Sequence, residues 1–378
     1  MKSLTASRVS CILDRRLLPT LEAEFARAGW GGYYTILSKQ VTLIEKSGIL
    51  RTGSNLAEDR SELVRFPIPR EHAPAVMYRI AQAVDLFLPG RGSIFCEDCE
   101  LLVDDSFQWP AAFDTEPETI PAQAASADWD LITCIVQRGR GDELARIMLE
   151  MGLCVPVVNY GEGMGLRDKI GLLRITIPVQ KEVLYLLVPS VDSDFVLDTA
   201  MRRAGMDEPG KGFLFRSPVR ACAVNNRILR DRRKHVASME QVISALDELR
   251  GSTDWRRLTA ASQKKQRAKA ITNTLESFSL TCEEGDAQKI VSKAMALGAG
   301  GATLVRASWH APKAESDSKT DAKVEAKIES QARETCDFIV RPDQAALFEA
   351  ELMPHILALP NAFAERSPVK DARTYLAT

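Results

Sequence analysis

A chain of 378 residues, 45% hydrophobic and 26% charged, has the composition of a folded globular protein, which excludes disorder and fibre and gives length for two or three domains. Its 49 Lys and Arg against 51 Asp and Glu leave a formal net charge of -2. Whole-chain binding of a polyanion is thereby excluded, and any nucleic-acid reading must rest on a local patch.

In chain order, residues 1–103 predict a first unit. Val9 to Leu13 reads as a strand, and Leu17, Leu21, Phe25 and Ala28 mark one helix face before the turn Gly29-Trp30-Gly31-Gly32. A second strand ends at Ile68-Pro69, Val76, Ile80 and Val84 follow at helical spacing, and Pro89 precedes the strand Ser93-Ile94-Phe95. Residues 104–128, rich in Pro, Ala and acidic residues, predict a surface linker.

Residues 129–225 repeat the pattern. Leu131 to Val136 reads as a strand, Leu144, Ile147, Met148 and Met151 as a helix face before Gly152, Val188-Pro189 as a strand end, and Val196 and Ala200 as a second helix. Pro209 and the strand Phe213-Leu214-Phe215 close the unit. Residues 226–270 form a connector whose Met239, Val242, Ile243, Leu246 and Leu249 predict a docking amphipathic helix.

Residues 271–378 give a third unit: a strand at Phe278 to Cys282, then a helix with Ala287, Ile290, Val291 and Ala294 before Gly298-Ala299-Gly300-Gly301. Arg341-Pro342, a segment with Leu347, Phe348 and Leu352, Pro360 and a weak strand Ala362-Phe363-Ala364 complete it. A polar insertion, Ala311 to Arg333, predicts a mobile loop. The proline pairs of the three units are separated by 20, 20 and 18 residues, a register that chance rarely produces.

The expected fold class is therefore α+β: three ferredoxin-like (βαββαβ) units whose open sheet faces pack around a threefold axis, forming an intramolecular pseudo-trimer. Such a chain is expected to be a monomer. No run approaches about 18 consecutive apolar residues, so no integral membrane segment is expected. Met1 to Ser10 lacks a signal-peptide core. The eight cysteines lie mostly inside apolar runs and read as core residues of a reducing compartment, so a cytoplasmic location is expected.

Three pieces of the second unit carry a resemblance: Gly161-Glu162-Gly163-Met164-Gly165, the strand Lys181 to Pro189, and Asp207-Glu208-Pro209-Gly210-Lys211-Gly212-Phe213 running on to Val219. Together they resemble the nitrogen regulatory protein P-II superfamily, in its divergent P-II-like members. The first unit adds Leu88-Pro89-Gly90-Arg91-Gly92 and the third Gly300-Gly301-Ala302.

The resemblance implies a non-enzymatic signalling regulator that binds adenine nucleotide (ATP, ADP or AMP) in clefts between units. It also implies a loop that acts on a target protein such as a transporter or enzyme. The implied nucleotide-binding residues are Gly210, Lys211 and Gly212, Gly161 and Gly163, and Gly90, Arg91 and Gly92, since closely spaced glycines expose N–H groups to an anion and a cation adds charge. The family's Gly-Asp-Gly-Lys order is not kept, Pro360-Asn361-Ala362 has no glycine, and Arg220 and Arg227 are the nearest stand-ins for its cross-cleft basic segment. The second unit is thus the best equipped.

Other constellations carry less. Cys96-Glu97-Asp98-Cys99 has CxxC spacing, but strand positions three apart face opposite sides, so strand packing is expected. Gly139-Arg140-Gly141 reads as a turn before a helix or as an anion site at its N-terminus. The four histidines are scattered, and neither a catalytic triad nor a metal or other cofactor site is expected. Two alternatives stay open: a ligand-free structural or adaptor pseudo-trimer whose loops or basic segment recruit a partner, and, since residues 227–269 hold twelve Lys or Arg against five acidic residues, a nucleic-acid or anionic-surface binder.

Overall fold

The computed structural model of the chain describes residues 1–48, 51–86, 88, 91–118, 128–150, 155–165, 180–206, 208, 211–224, 274–312 and 328–374. The first segment contains β1 (Lys2–Asp14), α1 (Leu18–Ala28), β2 (Tyr33–Gly48), β3 (Arg51–Pro69), α2 (Ala73–Ala83) and β4 (Gly92–Val103). The second contains β5 (Trp129–Gln137), α3 (Gly141–Glu150), β6 (Val157–Gly165), β7 (Gln180–Pro189), α4 (Ser193–Arg203), β8 (Gly212–Val219) and β9 (Ala221–Val224). The third contains β10 (Leu275–Glu283), α5 (Ala287–Ala296), β11 (Gly301–Pro312), β12 (Ile328–Val340), α6 (Pro342–Glu351), α7 (Met353–Leu357), β13 (Phe363–Val369) and β14 (Asp371–Thr374).

Local chemistry sets these elements. Pro19 sits in the first turn of α1, where its missing N–H costs nothing, and Gly29 ends the helix in the left-handed region (φ 68), its N–H reaching the Phe25 carbonyl at 3.0 Å. Leu21 and Phe25 pack against Val9, Cys11 and Leu13 of β1 and against Val76 and Ile80 of α2. The other face of β1 carries Arg8, Ser10 and Ile12, also buried. Strands buried on both faces explain the nearly continuous apolar runs in the sequence.

The expected fold class is corrected here. The segments are not three small ferredoxin-like sheets assembled as a pseudo-trimer of separate units. Fourteen strands join one antiparallel sheet in the order β11, β12, β10, β13, β4, β1, β3, β2, β6, β7, β5, β8, β14, with β9 on β4 and with β11 also paired to β2 and β6. The reason lies at the strand edges, where unpaired N–H and C=O groups must find partners if they are buried. Ser38–Gln40 of β2 pair with Val157–Asn159 of β6, Gly161–Gly165 of β6 with Gly301–Val305 of β11, and Ser308–His310 of β11 with Tyr33–Thr35 of β2.

A second set of junctions uses the strand ends. β9 pairs with Ser93–Cys96 of β4, β14 with Phe213–Arg216 of β8, and Ala364–Arg366 of β13 with Glu100–Leu102 of β4. Charges reinforce the β9 and β14 junctions. Arg220 meets Asp98 at 3.1 Å, Lys370 meets Asp130 at 2.5 Å, and buried Arg373 bonds Asp198.

Two connections also differ from expectation. Residues 104–118 are more than a surface linker, because Phe113 is buried under His72 with ring centroids 5.2 Å apart. The polar insertion is shorter than 311–333, since β11 runs to Pro312 and β12 begins at Ile328 with Arg333 buried. The expected helix at 239–249 lies outside the described residues. The described cysteines are free and buried, and Cys96 and Cys99 enter different apolar clusters, as positions three apart on a strand must. Burial pushes the Cys96 thiol up to about 12. Among the described residues no helix is long and apolar enough to cross a membrane.

The β2–β11 seam contains a titratable group. His310 Nε2 lies 3.0 Å from Thr35 Oγ1 and its ring stacks on Tyr33 at 5.1 Å, while the Tyr33 hydroxyl donates to Glu22 at 3.1 Å. Burial holds the imidazole below its ordinary 6.5, opposed by Glu22. A base whose folded value is depressed gives stability that is complete above 6.5 and is lost as pH falls through that value toward the folded one. The melting temperature should therefore fall between about pH 7.5 and about pH 5.5, and His310→Gln should flatten that fall. Calorimetry across this range checks it.

Candidate functional site

A cavity of about 500 Å³ lies where the three segments meet, walled by β1, β3 and β4 of the first, by β5 to β8 of the second and by β10, β11, β12 and β14 of the third. Its chemistry follows from strand register. In each segment a glutamate of the third strand stands opposite the end of the first strand: Glu62 opposite Leu13, Glu182 opposite Val136, Glu334 opposite Cys282. Glu182 accepts from the Gly141 N–H at 2.6 Å and Glu334 from the Ala287 N–H at 3.3 Å, so each holds the start of a helix. The position an anion would take before α3 is thus filled by the chain's own carboxylate, and Gly139-Arg140-Gly141 is a turn with Gly139 at φ 86.

Three residues beyond each glutamate stands a residue of the cavity wall: Arg65, Tyr185 and Asp337. Each lies opposite a hydroxyl of the first strand, Ser10, Thr133 and Ser279 respectively. Arg65 Nε donates to Ser10 Oγ at 3.3 Å and its guanidinium carbon sits 4.8 Å from the centre of the Tyr185 ring. Ser279 Oγ donates to Asp337. Equivalent positions thus hold a cation, a phenol and a carboxylate around one space.

Beside them Arg8 forms a buried ion triad with Glu97 at 3.0 Å and Glu365 at 3.1 Å. Such a triad is costly to break from one side, because the remaining charge is stranded. Burial pushes the Glu365 carboxyl up and Arg8 opposes it. Burial likewise raises the Tyr185 phenol, against the pull of Arg65. Ile135, Val183, Phe213, Phe215 and Ile339 make much of the remaining wall apolar. This is a binding chemistry: a buried cation and a carboxylate set in an apolar enclosure.

The residues expected to hold a nucleotide are distributed unevenly around this space. Gly163 lines it, opposite Thr303, while Gly161 lies in the β6–β11 seam, where a Cβ would come within 2.8 Å of the Leu304 carbonyl. Lys211 and Gly212 sit just before Phe213 of the wall, and the Thr374 hydroxyl donates to the Gly212 carbonyl at 3.2 Å. Lys211 Nζ pairs with Glu208 at 3.4 Å. Gly210 and Gly90 lie outside the described residues.

Arg91 and Gly92 are elsewhere, at the β4 end that receives β9. Gly92 has φ 127, and a Cβ there would stand 1.9 Å from the Ile12 carbonyl. Arg220, a candidate for the cross-cleft cation, is paired to Asp98, and Arg227 falls outside the described residues. Tyr185 falls within the Lys181–Pro189 strand of the resemblance but is not among its implied binding residues, and Arg65 and Asp337 belong to no motif. Aligning the three third strands on their glutamates would have found them.

Among the described residues no group of three or more His, Cys, Asp or Glu is placed to hold a metal ion. Neither a family model nor a curated protein matches this sequence. The P-II resemblance therefore stands on the quoted residues alone.

Gly92 supplies a direct test of whether its glycine serves the backbone or a ligand. Gly92→Ala should cost about 3 kcal/mol, at the top of the range for strained backbone, because main chain and not a flexible side chain blocks the Cβ. Gly212→Ala, whose closest contact is the Ile135 carbonyl at 3.0 Å, should cost less. Denaturant titration of both variants measures the difference.

Proposed function

We propose that this protein is a regulator that binds a small anionic effector in the three-segment cavity and acts on a partner protein. The observation that carries the reading is Arg65. It is 5% exposed, lines the cavity, and has no carboxylate of the described residues at ion-pair distance. A buried guanidinium without a direct counter-ion favours an anion that reaches it.

The enclosure supports coupling as well. Because all three segments supply wall, an effector that fills it binds the assembled arrangement more tightly than a loosened one. The β2–β3 ribbon is one element that could carry the signal, since Lys39 ties it to the second segment through Asp142 at 2.8 Å while also holding Glu58 at 2.8 Å. The P-II resemblance favours an adenine nucleotide as effector, with its phosphates at Lys211 and Gly212.

A thermal-shift screen with ATP, ADP, AMP, cyclic nucleotides and bicarbonate tests the reading. A ligand present at about a hundred times its dissociation constant stabilises the fold by about 2.7 kcal/mol, a readily measured shift. Two variants then locate the effector by calorimetric titration. Phosphates resting on the 211–212 turn should lose about 1.5 to 3 kcal/mol of binding in Lys211→Ala. An effector held inside the cavity should ignore that change and lose its binding in Arg65→Gln. Absence of any shift, here and with the probes named below, would leave the ligand-free adaptor as the better reading.

A further inference from the structure

Asp337 is the counterpart of Arg65 in the same wall. It accepts the Ser279 hydroxyl, and no cation of the described residues stands at ion-pair distance from it. Arg65 and Asp337 do not pair with one another either, although both line this cavity. Two opposite charges that border one cavity, each hydrogen-bonded to a hydroxyl but with no counter-ion of the described residues at ion-pair distance, form an arrangement complementary to a molecule carrying both signs.

We propose that the cavity recognises a free α-amino acid with an apolar side chain, its carboxylate on Arg65, its ammonium on Asp337 and its side chain among Ile135, Phe213, Phe215 and Ile339. The inference rests on reading the cavity as the effector site, and it narrows the effector there from an anion to a zwitterion whose carboxylate is the group that reaches Arg65. Its chemistry is consistent on each side. The carboxylate meets a planar guanidinium able to donate two bonds, and the ammonium meets a carboxylate whose second oxygen has no protein donor among the described residues. The side chain removes apolar surface from water against aromatic and branched walls. At about 500 Å³ the space lies within the usual range for small-molecule sites and can enclose a leucine or phenylalanine.

The unlikeness of the three wall residues strengthens the argument. If three equivalent positions all carried arginine, the walls would favour a polyanion; an arginine, a tyrosine and an aspartate favour a ligand with a direction. Filling the site would also neutralise both charges at once, so the ligand leaves neither group buried without a partner.

The test is a calorimetric titration of the full chain with phenylalanine, hydrocinnamate, which lacks the amine, and phenethylamine, which lacks the carboxylate. Leucine, isocaproate and isoamylamine form a parallel aliphatic series. The amino acids should bind, and each single-charge analogue should bind at least about ten-fold more weakly, as expected for loss of one charge-assisted contact. Asp337→Asn should weaken phenylalanine by a similar factor and leave hydrocinnamate unchanged; Arg65→Gln should weaken phenylalanine and leave phenethylamine unchanged.

Circular dichroism verifies that each variant folds, and if either does not, the analogue series on the unaltered chain decides alone. Hydrocinnamate binding as tightly as phenylalanine overturns amine recognition while leaving an anionic effector site. A response to a nucleotide or bicarbonate, with none to either amino acid, overturns the inference but spares the effector reading. No response to any probe removes both.

Discussion

An edge strand carries a row of N–H and C=O groups with no partner on one side, and this molecule resolves that constraint by running its edges into one another. The second strands β2, β6 and β11 pair mutually, and the short strands β9 and β14 cross to a neighbouring segment. Each segment therefore depends on another for its hydrogen bonding as well as for its core. The charged contacts at the strand ends fix register more than they add energy, since a one-residue slip would separate Arg220 from Asp98 and Lys370 from Asp130.

The inward face of this closed arrangement is where the segments cease to be alike. Outward faces pack against ordinary apolar residues of the helices, with Phe25, Met148 and Phe348 as examples. Inward faces hold Arg8, Arg65, Glu97 and Asp337. Charges so placed cost free energy in the empty fold and favour a specific occupant, which is how polar groups in an apolar enclosure confer selectivity. Identical subunits would repeat one residue three times at these positions. A single chain can place three different groups.

Much of the local structure was legible in the sequence, because it depends on near neighbours. The apolar faces of α1, α3 and α5 and the glycine after α1 follow from helical spacing and the need for a left-handed residue. The joining of the sheets was not legible by the same means, since strand pairing between distant residues leaves little periodic trace. One signal was present nonetheless. Arg216-Ser217-Pro218-Val219-Arg220 recurs as Arg366-Ser367-Pro368-Val369-Lys370, and each copy leads into a strand that crosses to a neighbour. The glycines show the opposite failure: spacing suited a phosphate loop, whereas Gly92 answers to the Ile12 carbonyl. The buried charges were invisible because their spacing belongs to strands that read as core.

The crossing of β14 to β8 also bears on how the molecule is made. As the chain leaves the ribosome, the second segment is complete in sequence by Val224, yet the edge of β8 has no partner until residues 371–374 appear. At about 5–20 residues per second, that interval is on the order of ten seconds or more. During it, a nascent chain presents an open strand edge beside Phe213 and Phe215, a template for pairing with a neighbouring nascent chain on the same message. β14, the last strand among the described residues, is thus the one that ends the exposure of this edge to other copies.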